Sequence, residues 1–278
     1  MARTRNAVKR QKLESALFNP DVVFLLAALL DAQDLRQVSL TCKALGGKQA
    51  AAYGGLSLVE ESARRLFECA SEWERSCLPK RDDEGWVELY RHLLMLRSKL
   101  TFDQLVGDYI RYGDDESTVC SCENIYPSSA LCSEHSMRSG RHYAVFTTTG
   151  NASIGVIRPV QIDRADLRFG GSLYPFEPGA ARSWGHLRGK RTDRWGDSNI
   201  HCCYLKINGG NRVTCDCFWH DWTVRTTSFR VDGFQLGIPV GLLLDLDEGT
   251  LSVYQRGQKL ETLTDGLSGE YCWFATIR

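Results

Sequence analysis

The spacing of the apolar residues changes part-way along this chain. Over roughly the first hundred positions they recur at helical intervals, and over the last 140 or so they recur every second residue or run together. That segregation excludes an alternating α/β sheet and predicts two domains, a small helical one followed by an antiparallel β-sandwich, an α+β multidomain architecture. The length of 278 residues fits this, since a domain takes about 100–200.

The helical part has readable punctuation. Asn19 can cap a helix, Pro20 suits its first turn and Asp21 its positive end. Residues 22–30 then form a helix that is apolar nearly all round, which predicts burial on several sides. A second helix starts at Asp31, with the stripe Leu35, Val38, Cys42 and Leu45, and Gly46-Gly47 ends it. Ser57 and Glu60 have capping-box spacing. Val59, Ala63, Leu66, Phe67, Ala70 and Trp73 follow at helical spacing, then Trp86, Leu89, Tyr90, Leu93 and Leu94, and Thr101 and Gln104 frame one last turn. Residues 1–15 read as a basic, solvated tail with a nuclear-import patch as the alternative. Residues 57–112 read as a helical spacer and 113–135 as a polar linker.

From residue 136 the grammar is that of strands and tight turns. Residues 142–149 and 154–160 read as a hairpin turned at Gly150-Asn151. Residues 200–207 and 212–219 flank Asn208-Gly209-Gly210-Asn211, a second hairpin. Residues 240–246 read as a strand buried on both faces. Asp247-Glu248-Gly249 turns it into 250–255, Arg256-Gly257 turns that into 259–263, and 271–277 closes the chain.

Composition excludes several classes. Lys plus Arg equals Asp plus Glu at 34 each, so no basic surplus points to nucleic acid. The longest apolar run, 22–30, is far short of the ~20 residues that cross a bilayer. Eleven cysteines is an odd number, and without a secretory signal they predict free thiols in a reducing compartment, cytoplasmic or nuclear.

Two resemblances add to this reading. Residues 240–254, VGLLLDLDEGTLSVY, followed by Gly257 and Leu260, resemble the central hairpin of the SPRY domain. Ser139-Gly140-Arg141-His142-Tyr143 with Ile154-Gly155-Val156 is similar to that family's opening strands, and Gly266 to Phe274 to its close. The resemblance covers about 136–278 and implies a β-sandwich that binds a protein or peptide in its loops. The pattern Asn19-Pro20-Asp21-Val22, then Leu25, Leu29 and Leu30, Asp34-Leu35, and Val38 to Lys43 is similar to the F-box over residues 16–56. It implies a Skp-type adaptor of a cullin–RING ubiquitin ligase as partner, contacted through Pro20, Val23, Leu26, Leu29, Leu35, Cys42 and Lys43. Together they imply a substrate receptor with no catalytic residue of its own; a SPRY scaffold with no ubiquitin role is the alternative.

Motifs for chemistry are weak. Residues 185–192 imitate a phosphate loop but are one residue short between the glycines, and no apolar strand precedes them, so they read as a basic surface loop. Asp245 to Gly249 lacks the later acids of a calcium loop and reads as a hairpin turn. No cofactor is expected, and no metal. A turn centred on Gly209-Gly210 sets Cys202 opposite Cys217 and gathers Cys202, Cys215 and Cys217 on one face; these read as small core side chains, with zinc the alternative. His201 and His220 fall near the same end on the other face. Cys120, Cys122, Cys132 and His135 form a second, weaker metal candidate. The loop residues Trp184, Arg188, Arg191 and Trp195, with Trp219 and Trp222, are the expected target contacts, because Trp and Arg dominate binding hot spots. At least one of these tryptophans is expected in the core.

Overall fold

The computed structural model describes residues 19–27, 29–41, 43–47, 55–82, 84–122, 126–162, 168–169, 172–173, 185, 187–195, 200–208, 212–220 and 227–277. The chain divides into two compact units, residues 1–98 and 99–278.

The first unit is helical: α1 (Pro20–Ala27), α2 (Ala32–Thr41), α3 (Lys43–Gly46), α4 (Leu58–Glu68), α5 (Glu72–Cys77) and α6 (Trp86–Arg97). The expected caps form at α1 and α2. The side chain of Asn19 accepts from the amide of Asp21 at 2.9 Å, and that of Asp31 from Asp34 at 2.7 Å. Ser57 accepts from Glu60 at 3.1 Å, but the Glu60 carboxylate does not return to complete the box. It accepts from the amide of Trp86 at 2.5 Å and so caps α6, which starts at a glycine with no cap of its own. The complete capping box is at Ser71 and Glu74 on α5, which breaks the long helix expected from 57 to 73 into α4 and α5.

The unit closes over Ala27, Leu35, Leu58, Val59, Ala63, Leu89 and Leu93, all at 2% exposure or less. Helix α1 departs from expectation. Val23 and Ala27 enter the core, whereas Leu25, Leu26 and Leu29 are 72%, 47% and 81% exposed. The helix is apolar nearly all round, yet this unit covers only one side of it.

The second unit is a sandwich. Its strands are β1 (Gln104–Val106), β2 (Ile110–Tyr112), β3 (Val119–Ser121), β4 (Ser128–Leu131), β5 (Arg141–Phe146), β6 (Ala152–Ile157), β7 (Arg168–Phe169), β8 (Ser172–Leu173), β9 (Ile200–Asn208), β10 (Arg212–His220), β11 (Thr227–Arg230), β12 (Val240–Asp245), β13 (Thr250–Gln255), β14 (Gln258–Thr264) and β15 (Cys272–Ile277). A seven-stranded sheet runs β1-β4-β15-β6-β9-β10-β11, and a four-stranded sheet runs β14-β13-β12-β5. Alternate residues of both sheets, among them Val156, Leu205, Trp273, Leu242 and Val253, fill the space between them. The opposite face of the larger sheet carries a second core around Ile157, Cys202, Tyr204, Phe274 and Trp195. With both faces covered, every residue of β6 is buried.

The hairpins β12–β13, β13–β14 and β9–β10 form as expected. Gly249 has φ +68°, and a Cβ there would stand 2.7 Å from the carbonyl oxygen of Leu267, so glycine is required by both conformation and space.

Three expectations are corrected. First, β5 and β6 do not pair: β5 lies beside β12 in one sheet, and β6 lies between β15 and β9 in the other, so residues 147–151 cross between sheets. Second, the chain does not divide within 113–135. Strand β4 is fully buried and pairs with both β1 and β15, and residues 101–112 form strands, not a last helical turn. Polar composition marked a linker there, but the strands' hydrogen bonds are made with distant segments. Third, the β9–β10 register pairs Cys203 with Cys217 and Cys215 with Leu205. One residue of slip moves Cys202 to the outer face, with Tyr204.

Candidate functional site

The strand register gathers several loops at one end of the sandwich. Ile157 at the end of β6 lies opposite both Cys202 near the start of β9 and Cys272 at the start of β15. Segments 158–162, 187–195 and 268–271 therefore meet there. Trp195 is fully buried among Ile157, Val160, Ile162, Leu187 and Ile200. Its indole Nε1 donates to the carbonyl of Pro159 at 2.9 Å. Trp195 is thus removed from the list of target contacts: it plugs the outer core, as at least one tryptophan was expected to do.

Leu187 and Trp195 are both at 0% exposure, and they pin the ends of a basic stretch between them. Arg188 and Arg191 stand exposed on this base. The segment that imitated a phosphate loop contains a short helical turn across Leu187–Gly189 instead. Trp184 and Trp222 lie outside the described residues. Trp219 lies on β10 opposite His201, and its side chain is outside the described set.

An ion cluster that sequence reading did not assemble stands beside this stretch. Glu270, at 2% exposure, accepts from Arg138 Nε at 3.0 Å, and Arg194 Nε lies 3.5 Å from its second oxygen. Burial pushes the Glu270 carboxyl up, but hydrogen bonds from Ser136 and Arg138 and the charges of Arg138 and Arg194 outweigh it, leaving it below its ordinary value. Arg158 donates from Nη1 to the carbonyls of Ser268 and Glu270 and stacks on Tyr271, its guanidinium carbon 4.5 Å from the ring centroid. These residues lie up to 132 positions apart, so no local pattern signals them. Arg158 is thus buried and spent inside the fold, whereas Arg138 and Arg194 fix Glu270 from the surface, with side chains 60% and 61% exposed.

The residues expected to contact an adaptor divide. Leu26 and Leu29 are exposed. Val23 and Leu35 are at 8% and 1%; they hold the helices together and are corrected from contact to core. The side chains of Pro20 and Lys43, and Cys42 as a whole, lie outside the described set. Leu25, not among the expected contacts, is more exposed than Leu26.

For metals, Cys203, Cys215 and Cys217 form the one cluster of potential ligands among the described residues, their sulfurs all within 4.8 Å of one another. Cys203 and Cys217 are joined as a disulfide, and Cys215 Sγ is 3.7 Å from Cys217 Sγ. Burial pushes the Cys215 thiol above its ordinary range. Cys120, Cys122, Cys132 and His135 do not come together. Asp245 accepts from the amides of Asp247 and Glu248 through Oδ1, so its carboxylate caps the turn.

No family model matches the chain, and no curated protein matches it. Among solved structures, the PSpry domain of TRIM65 aligns at a TM-score of 0.39 and 15% identity, over 64% of this chain and 84% of that one. The SPRY domain of human HERC1 aligns at a TM-score of 0.29 and 12% identity, over 55% of this chain and 75% of that one. Both neighbours are SPRY domains, the family that residues 240–254 resemble; at this overlap the sandwich rests on its own strand order.

Proposed function

We propose that this chain is a non-catalytic substrate receptor of a Skp–cullin–F-box type ubiquitin ligase. The helical unit docks on the adaptor, and the loop end of the sandwich, through Arg188, Arg191 and the neighbouring arginines, holds a protein or peptide target. The receptor then acts by raising the target's effective concentration near an active site on another subunit.

The observation that carries this reading is the uncovered side of α1. Leu25 and Leu26 are neighbours on α1, and Leu29, whose amide donates to the Leu26 carbonyl at 3.0 Å, follows in the next turn, so the three exposed leucines fall within five residues. Leaving Leu25 and Leu29 largely in water forgoes up to about 1.5–3 kcal/mol each, and the half-buried Leu26 about half of that, a loss that a partner surface recovers. The resemblance to the F-box names the partner.

The test is co-purification of the full-length chain with a Skp-type adaptor. A one-to-one complex is expected, lost in Leu29→Asp and Leu26→Asp while circular dichroism stays unchanged. Leu35→Asp serves as the control that unfolds the helical unit. A folded, monodisperse protein that captures no adaptor overturns the receptor reading. The scaffold reading would then stand, and the burial of Val23 and Leu35 favours it, since two of the seven contacts implied by the resemblance are internal.

A further inference from the structure

We propose that Cys203, Cys215 and Cys217, with the carbonyl oxygen of Leu263, form a structural zinc site joining the two sheets in the reduced protein. The register places the three cysteines on the inner face of β9 and β10, each at 2% exposure or less. Leu263 belongs to β14 in the opposing sheet, and its carbonyl lies 3.6 Å from Cys215 Sγ and 3.8 Å from Cys217 Sγ. The donors thus come from three strands and both sheets.

The spacing suits the ion. Zinc–sulfur bonds of about 2.3 Å at tetrahedral angles separate two sulfurs by about 3.8 Å, and Cys215 and Cys217 already stand 3.7 Å apart. A disulfide engages two of the sulfurs and leaves Cys215 a thiol directed at the Leu263 carbonyl; a metal engages all three. Seven other cysteines among the described residues are free thiols, as in chains kept reduced. There the Cys203–Cys217 bond is exchanged by a thiol reductant: two reductant thiols become one disulfide, and Cys203 and Cys217 each gain a proton. Zinc then displaces three protons to the medium, one from each cysteine, since the thiolate is the ligand. The three thiolates leave one net negative charge on the site, and the Leu263 oxygen takes the fourth position.

The experiment uses the full chain, reduced with a phosphine and stripped of metal. Zinc is titrated against a chromophoric chelator, and cobalt is added separately as a spectroscopic probe. One equivalent of zinc is expected, with proton release, a thiolate-to-cobalt charge-transfer band and a raised thermal midpoint. Cys215→Ala is expected to weaken binding at least tenfold. Cys202→Ala, one residue away on the opposite face, and Cys122→Ala, exposed elsewhere, are expected to bind as the parent does. The proposal is overturned by a reduced parent that binds no zinc, by binding that survives Cys215→Ala, or by a Cys203–Cys217 disulfide that the phosphine leaves intact. Should Cys215→Ala fail to fold, the parent's midpoint with and without zinc decides.

Discussion

Replacing Trp195 by alanine separates a structural tryptophan from a binding one. The side chain is at 0% exposure and lies in the outer core with Ile157, Val160, Leu187 and Phe274. Truncating a buried Trp to Ala costs about 3–5 kcal/mol. Leaving the Pro159 carbonyl without its indole donor adds about 1 kcal/mol. In a unit of this size each kcal/mol lowers the midpoint by about 2–4 °C, so Trp195→Ala should melt on the order of 10 °C below the parent. The assay is thermal unfolding followed by near-ultraviolet circular dichroism, with helical and sandwich transitions fitted separately, since two units need not unfold together. Trp195→Phe, which keeps most of the apolar area, should recover more than half of the loss. Arg191→Ala, exposed on the same loop, should shift the midpoint by less than the equivalent of about 0.5 kcal/mol. A Trp195→Ala protein as stable as the parent would refute the assignment and return Trp195 to the target surface.

Two further predictions concern stability. The guanidinium of Arg97, 2.6 Å away, together with the Ser71 hydrogen bonds, holds the Glu74 carboxyl at about 2, below its ordinary 4.5. A depressed folded-state value adds stability above the unfolded pKa and loses it as pH falls through the folded one. The helical unit should therefore weaken between about pH 4.5 and 2, and Glu74→Gln should flatten that part of the urea midpoint–pH curve; an unchanged curve would refute the pairing. Gly249→Ala forces an L residue to φ +68°, costing about 1–2 kcal/mol, and drives its Cβ to 2.7 Å from the Leu267 carbonyl. Chemical denaturation should show a loss above that strain alone, and a loss under half a kcal/mol would mean the turn relaxes freely.

Local chemistry was legible wherever a short segment satisfies itself. The caps at Asn19 and Asp31, the turn at Arg256-Gly257 and the hairpin of residues 240–255 are settled by neighbours in sequence. Reading failed where the partner is remote. The pair 142–149 and 154–160 looks like a hairpin because nothing local reports that β6 lies beside β15 and β9. Strand β4 looks like a linker because its partner residues on β1 and β15 lie 23 or more and over 140 positions away in the chain.

The candidate sites divide on the same line. The sequence by itself determined that helices precede a sandwich, that Arg188 and Arg191 are surface cations, and that a tryptophan would be needed as a plug. Only the tertiary structure decided that Trp195 is that plug, that Glu270 gathers Arg138 and Arg194, and that Cys203 joins Cys215 and Cys217. It also decided that Leu29 faces outward while Leu35 does not. The physical reason is that periodicity reports which residues share a face, whereas burial depends on what is packed against that face. A strand's faces exchange with a register change of one residue, and a helix that is apolar on every side carries no mark of which side its own chain leaves uncovered.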